Sequence, residues 1–201
     1  MNESVEAFVK SIADLDGKSA QAPTLDKIVR ARVGADKILC VDRLQRVARN
    51  LSWQNGKRMQ FMSPKLMLMI ELECGPDHFL VAAKQYVAKL DKMLTPQLVR
   101  LSELPDSDYK TSRAFFLASM ACLFLMENAP FKYSNARVTM VVVKNILDLA
   151  LPLPFPIDRD YAGVLQTCFR SEEPLNVRCL PLKRYLLRQA AKHYESIINL
   201  L

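Results

Sequence analysis

The feature that most constrains the fold is an uncharged run, AFFLASMACLFLM, which occupies residues 114–126 between Arg113 and Glu127. A helix that spans a bilayer needs about 20 apolar residues, so this run is too short to cross a membrane. A helix that is apolar on nearly every face is instead typical of the centre of a helical core. The run therefore predicts that the chain folds around one buried helix.

The rest of the composition favours helices over a sheet. The 201 residues include five Gly and eleven Pro, and the main β-branched run is the three valines at residues 141–143. By propensity these valines are also compatible with a strand, but the length and the polar residues of segment 135–150 favour a helix. We therefore predict an all-α multi-helix bundle in two helical lobes joined by a short linker.

Capping residues and prolines predict where individual helices begin. Thr24 is expected to cap a helix that runs to residue 33, and Thr95 with Pro96 to begin a separate short helix. Residues 105–108, PDSD, are expected to form the turn that caps the long apolar helix. Other predicted helices begin near residues 4, 36, 63, 77, 135, 158 and 181.

Residues 151–157, LPLPFPI, carry a proline at every second position. This spacing excludes a helix and indicates a stiff extended linker. The chain is thereby divided into four predicted parts: an N-terminal helical lobe with a basic surface (1–75), a middle helical subdomain with buried apolar helices (76–150), the Pro-rich linker (151–157) and C-terminal helices (158–201).

The five cysteines are an odd number, widely spaced within apolar patterns. This usage predicts free buried thiols in a reducing compartment. The first residues lack a basic start followed by an apolar segment, so we do not expect a secretory signal. The cysteines are Cys40, Cys74, Cys122, Cys168 and Cys179.

The net charge of +7 is concentrated in about one fifth of the chain. Residues 24–65 contain ten basic residues and three acids, whereas the rest of the chain has equal numbers of each. Such asymmetry suggests a surface for a phosphate-rich partner, either anionic lipid or nucleic acid, with a plain solvated surface as the alternative. This first basic surface comprises Lys27, Arg30, Arg32, Lys37, Arg43, Arg46, Arg49, Lys57, Arg58 and Lys65.

A smaller group of basic residues lies near the end of the chain. Residues 174–194 contain five basic residues and no acids. We expect this second basic surface to comprise Arg178, Lys183, Arg184, Arg188 and Lys192.

Sequence patterns for catalysis are missing. His78 and His193 are the two histidines of the chain, and no C-x-x-C pair accompanies them, so there is no zinc-binding pattern. No glycine-rich loop precedes a Lys-Ser or Lys-Thr pair, and two histidines offer few bases for a nucleophile. We therefore expect no enzymatic activity, no metal and no cofactor.

Residues 129–137, APFKYSNAR, are similar to the H-P-F-x-x-G-N-G-R signature of Fic-type nucleotidyl transferases. Ala129 stands in place of the catalytic histidine, and Ser134 and Ala136 replace the glycines that admit the nucleotide phosphates. The similarity therefore implies at most an inactive relative. The matching residues are Pro130, Phe131, Asn135 and Arg137.

Three segments together resemble, in order and spacing, the matrix protein of orthomyxoviruses. They are residues 61–76, 117–130 and 138–150, about half of the chain once the intervals between them are counted. In that family a Ser-Pro pair begins an apolar helix, here at Ser63 and Pro64, and a helix rich in small residues precedes another apolar helix.

The resemblance implies an all-helical, non-enzymatic protein of the virion that lies beneath the envelope. It also implies passage through the host cytoplasm and nucleus, and peripheral attachment to the host plasma membrane. The implied partners are an anionic phospholipid membrane surface, further copies of the same chain, the viral ribonucleoprotein or RNA, and the tails of envelope glycoproteins.

The chain departs from the family pattern at two places. The basic cluster of the middle subdomain would align near residues 82–92, where Lys84, Lys89 and Lys92 occur, and the Cys/His cluster of some members is reduced to Cys122. A binding surface is therefore expected in residues 24–65.

Two further interpretations stay open. The same basic residues would suit the phosphates of RNA, although Trp53 and Phe61 are the stacking aromatics beside them. A methionine-rich face is a candidate contact between subunits, but methionines are more often flexible fillers of a core. These methionines are Met59, Met62, Met67 and Met69.

Overall fold

The computed structural model describes residues 2–13, 15, 22–54, 57–58, 81, 83–131 and 134–199. These residues are mostly helical, which confirms the predicted all-α fold. The helices are α1 (Asn2–Ala13), α2 (Ala22–Arg30), α3 (Val41–Ser52), α4 (Ala88–Glu103), α5 (Asp108–Asn128), α6 (Asn135–Leu147), α7 (Asp160–Arg170), α8 (Leu175–Arg178) and α9 (Leu180–Ile198).

Three short elements connect these helices. A 3₁₀ turn, Ala35–Lys37, lies between α2 and α3, and a π-helical turn, Ala83–Val87, leads into α4. After α3, the two-residue strands β1 (Trp53–Gln54) and β2 (Lys57–Arg58) pair antiparallel.

Helix α5 is the predicted buried helix, and it lies at the centre of the molecule. All of its residues from Leu117 to Leu125 are buried, and the hydroxyl of Ser119 donates to the carbonyl of Phe115 at 2.7 Å. Ser107 caps its start, because its side chain accepts a hydrogen bond from the backbone N–H of Lys110. Among the described residues, no helix is both long and apolar enough to span a bilayer.

Helix α6 contains the three valines and confirms the helical prediction for that segment. It packs along α5 in the largest helix–helix contact of the fold, and every residue from Arg137 to Leu147 is buried. Burial on nearly every face outweighs the small helical penalty of β-branched residues, so the valine run forms a helix.

Three predicted helix starts are wrong. The helix expected near residue 36 begins at Val41, because residues 35–37 form the 3₁₀ turn. Helix α2 begins at Ala22, which places Thr24 inside it rather than at its cap. Pro23 explains the earlier start, because proline lacks the N–H that the first turn leaves unpaired.

The third wrong start is at Thr95 and Pro96, since α4 continues through this pair. Pro96 deprives the carbonyl of Lys92 of its helical partner. Both Lys92 and Pro96 are exposed, so this carbonyl lies on the solvent side, where water can hydrate it. The side chain of Gln97 also donates to the carbonyl of Met93 at 3.0 Å.

Residues 151–157 are non-helical, as predicted, and they are packed against the rest of the molecule. Phe155 is 4% exposed and stacks on Phe115 with ring centroids 6.0 Å apart. The hydroxyl of Tyr194 donates to the carbonyl of Leu153 at 2.7 Å and accepts its N–H at 3.3 Å. The hydroxyl of Tyr185 donates to the carboxylate of Asp158 at 3.0 Å. The segment is thus held along α9.

The cysteines within the described residues are free, as predicted, and three of the four are buried. The sulfur of Cys122 lies 3.2 Å from the hydroxyl of Tyr161. Burial raises the pKa of Cys122 to about 12 and that of Cys179 to about 11. Because a thiolate is needed for attack on a substrate, these side chains serve as small apolar groups.

Some predictions fall outside the described residues. The helix expected between Ser63 and Gly75 is one of them, and the division of the chain into lobes stays a prediction. The individual residues concerned are Met59, Met62, Lys65, Met67, Met69, Cys74 and His78.

We expect Phe155→Ala to lower the free energy of unfolding by about 3 kcal/mol, because it removes a buried ring from the contact with α5. Urea denaturation measures this difference. Phe169→Ala is the matched control, since Phe169 is 40% exposed and should lose less than about 1 kcal/mol. Equal losses in the two variants would contradict the packed role of residues 151–158.

We expect Thr139→Val to raise the free energy of unfolding by about 1 kcal/mol. The Thr139 hydroxyl is fully buried, and it has no hydrogen-bond partner among the described residues. Valine keeps the shape and removes the polar group. Thr167→Val is the control, because that hydroxyl is exposed and donates to the carbonyl of Gly163. Destabilisation by Thr139→Val would reveal a partner for its hydroxyl.

Candidate anion-binding surface

The first basic surface is distributed over several elements. Two of its residues lie on α2, one on the following loop, one in the 3₁₀ turn, three on α3 and two on β2, while Lys65 is outside the described residues. The structure describes no side chains for Lys57 and Arg58. The exposed members with described side chains are Lys27, Arg30, Arg32, Lys37, Arg46 and Arg49.

The amphipathic pattern of α3 explains why its cations face outward. Leu44, Val47 and Leu51 recur every three or four residues and are all buried, as expected for the core-facing stripe of a surface helix. The helix packs on α6 and α2 through this stripe. Arg46 and Arg49 lie outside the stripe and are exposed.

Arg43 differs from its two neighbours along α3. Its side chain is half-buried, and its Nη1 donates to the carbonyl of Ile38 at 3.1 Å. Burial lowers the pKa of Arg43. The residue therefore closes the turn that leads into α3, and this structural contact competes with any contact to a ligand.

Acidic neighbours reduce the charge at one end of the surface. Asp26 and Arg30 form an ion pair one helical turn apart, with Arg30 Nε 2.7 Å from Asp26 Oδ2. The hydrogen bond from Arg30 to Asp26 raises the pKa of the guanidinium. Asp36 and Asp42 are the other acids between residues 24 and 54. Residues 24–54 contain seven cations and these three acids, so the described part of the surface carries an excess of positive charge.

The second basic surface is smaller than the sequence suggests. Arg178 makes a bidentate ion pair with Glu127, at 2.8 Å from Nη1 to Oε1 and 2.7 Å from Nη2 to Oε2. Lys183 Nζ donates to Ser112 Oγ at 2.9 Å. These two contacts attach α8 and α9 to α5. The exposed members that remain on α9 are Arg184, Arg188 and Lys192, which form a ridge because they are four residues apart.

The residues of the Fic-like segment serve the fold. Arg137 is 1% exposed, and its Nη2 donates to the carbonyl of Ala13 at 3.3 Å, which joins α6 to the end of α1. The side chain of Asn135 accepts the N–H of Phe131 at 2.9 Å and donates to the Phe131 carbonyl. A nucleotide phosphate would need these groups at the surface, so the structure gives no support to the Fic-like alternative.

A groove of about 510 Å³ adjoins the first basic surface and was not predicted from the sequence. It lies between α1, the end of α2, the end of α6 and residues 151–154. We call it the α2–α6 groove. Arg30 and Arg32 line it, together with Lys144, whose ammonium is 2.6 Å from Asp148 Oδ2.

The Lys144–Asp148 pair sets the electrostatics of this groove. Burial raises the pKa of Asp148, and the hydrogen bond and charge of Lys144 and the charge of Arg32 oppose that rise. The sequence contained one signal for the pair, a lysine four residues before an aspartate at a helix end. Nothing in the sequence placed this pair beside Arg32.

In the part of the chain that the structure describes, no three His, Cys, Asp or Glu side chains are grouped so that they would hold a metal ion. Comparisons with models of protein families, with curated proteins and with solved structures find no match for this chain.

Proposed function

We propose that this chain is a non-catalytic matrix protein of the orthomyxovirus type, which binds the anionic inner face of a viral envelope. The observation that carries the proposal is the outward-facing group of cations on α2, the following loop and α3. Six of them are exposed, and the acids between residues 24 and 54 number three. The proposed site of action is beneath the envelope.

Electrostatic attraction supplies the proposed binding energy. A basic side chain near an anionic leaflet gains about 1 kcal/mol, so the exposed cations together would contribute several kcal/mol per molecule, even with the share of Arg30 reduced by its pairing with Asp26. Salt screens this attraction within about 10 Å at 0.1 M ionic strength. A single molecule would therefore bind reversibly.

Self-association is the second part of the proposal, because it converts weak binding into stable attachment. Neighbouring copies in an array hold one another close to the membrane, which raises the effective concentration of every basic surface. The proposed array would also contact the viral ribonucleoprotein and the tails of envelope glycoproteins.

RNA is the competing partner, and the ridge on α9 is the observation that favours it. Arg184, Arg188 and Lys192 lie on a different helix from the first basic surface. A second cationic region gives RNA a surface separate from the one proposed for the membrane. RNA phosphates would bind these side chains without the need for a base-specific site.

Vesicle flotation tests the membrane proposal. We expect the protein to float with phosphatidylserine vesicles at low salt, and to float less at high salt or with neutral vesicles. Changing Lys27, Lys37 and Arg46 together to Glu should reduce vesicle binding by more than about 100-fold, because three favourable contacts are lost and three repulsive ones are introduced.

The control variant changes Arg100, Arg159 and Arg170 to Glu, three exposed residues outside both basic surfaces. Both variants alter the net charge equally, so a difference between them locates the binding surface. Equal loss in the two would indicate a non-specific charge effect. Failure of the unmodified protein to float, combined with retarded migration of single-stranded RNA, would replace the membrane proposal by RNA binding.

A further inference from the structure

The α2–α6 groove is lined by two chemically different groups of side chains. Arg30 and Arg32 supply positive charge, and Lys144 adds a third cation beside Asp148. The remaining lining is aliphatic, and it includes Val33 and Leu149. A volume of about 510 Å³ lies within the range of roughly 300 to 1,000 Å³ that is typical of small-molecule sites.

The lining indicates which class of ligand would fit. Among the described residues, no aromatic side chain lines the groove, so a nucleotide base would find no ring there on which to stack. An inorganic anion would make no contact with the aliphatic lining. A molecule that joins an anionic group to a short apolar body would contact both the cations and the aliphatic side chains.

We propose that the α2–α6 groove binds the phosphate and glycerol region of one anionic phospholipid. Arg32 and Lys144 contact the phosphate, and Val33 and Leu149 contact the glycerol and the first methylenes of the acyl chains. The inference rests on the proposed membrane function and adds a defined lipid site to it. Arg30 and Arg32 belong to both the groove and the first basic surface, so the two are continuous.

Charge balance within the groove permits an anion. Among the described residues, three cations and one carboxylate line it, and one positive charge remains when Asp26, the ion-pair partner of Arg30, is also counted. The ammonium of Lys144 carries three donor hydrogens, and one of them is directed at Asp148. A phosphate would thus replace water beside this pair without breaking it.

The wall formed by residues 151–154 is fixed in place. Tyr194 holds the backbone of Leu153 through both its N–H and its carbonyl. A rigid wall lowers the entropic cost of binding, because the site needs little ordering when the ligand arrives.

Titration of isotope-labelled protein, followed by amide chemical shifts, tests the proposal. The probes are monomeric dihexanoyl-phosphatidylserine, glycerophosphoserine and inorganic phosphate. We expect dihexanoyl-phosphatidylserine to shift the amides of Val33, Lys144 and Leu149, and to bind at least about fivefold more tightly than glycerophosphoserine, which lacks acyl chains. Inorganic phosphate is expected to bind more weakly than either.

Two variants distinguish the contribution of the cations from that of the aliphatic lining. Arg32→Gln should weaken dihexanoyl-phosphatidylserine and glycerophosphoserine alike by about fivefold, whereas Val33→Ser should remove only the preference for the acylated probe. Arg100→Gln is the matched control, because Arg100 is exposed and lies outside both the groove and the two basic surfaces. The double change Lys144→Gln and Asp148→Asn tests the contribution of this ion pair, and it leaves neither residue charged and unpaired.

Three outcomes would overturn the lipid site. One is the absence of groove shifts at millimolar dihexanoyl-phosphatidylserine, and another is equal binding of all three probes, which would show a general phosphate site. The third is a larger effect of a single-stranded RNA on the same amides. Flotation without groove shifts would support membrane binding and exclude the lipid site. Groove shifts without flotation would support a lipid site in the groove and exclude membrane attachment.

Discussion

The contact between α5 and α6 is the interaction on which the other helices depend. Both helices contain long buried stretches, from Leu117 to Leu125 in α5 and from Arg137 to Leu147 in α6. Each fully buried Leu, Val or Phe contributes about 1.5 to 3 kcal/mol. Because this pair has almost no face left for water, the remaining helices must form a layer around it. The charged residues of the chain are therefore carried mainly by that outer layer.

Strong local signals made the centre of the fold predictable. The apolar run and the Ser107 cap predicted α5, and segment length decided between helix and strand for α6. The continuation of α4 through Pro96 was not predictable, because the penalty for a proline depends on whether the freed carbonyl of Lys92 faces water. That orientation is set by packing of the whole helix, which a local pattern does not contain.

Helix geometry explains why the basic residues were only partly predictable. A step of three residues turns a helix about 60° short of a full circle. Two such steps separate Arg43 from Arg49, so their side chains point about 120° apart. Arg43 therefore reaches the carbonyl of Ile38, while Arg49 is exposed. A step of four residues overshoots by only about 40°. The ridge from Arg184 to Lys192 therefore stays on one side of α9.

The same central contact also shapes the proposed binding site. Helix α6 is buried to its end, and the exposed Asp148, which directly follows it, pairs with Lys144 in the lining of the α2–α6 groove. Packing of α1 and α2 on α6 brings Arg32 into the same groove, although more than one hundred residues separate it from Lys144. Charge counting along the chain locates the basic residues, but a concave site arises only where the outer layer meets the core. The proposed lipid site therefore depends on tertiary packing, which brings Arg32 and the Lys144–Asp148 pair into one groove.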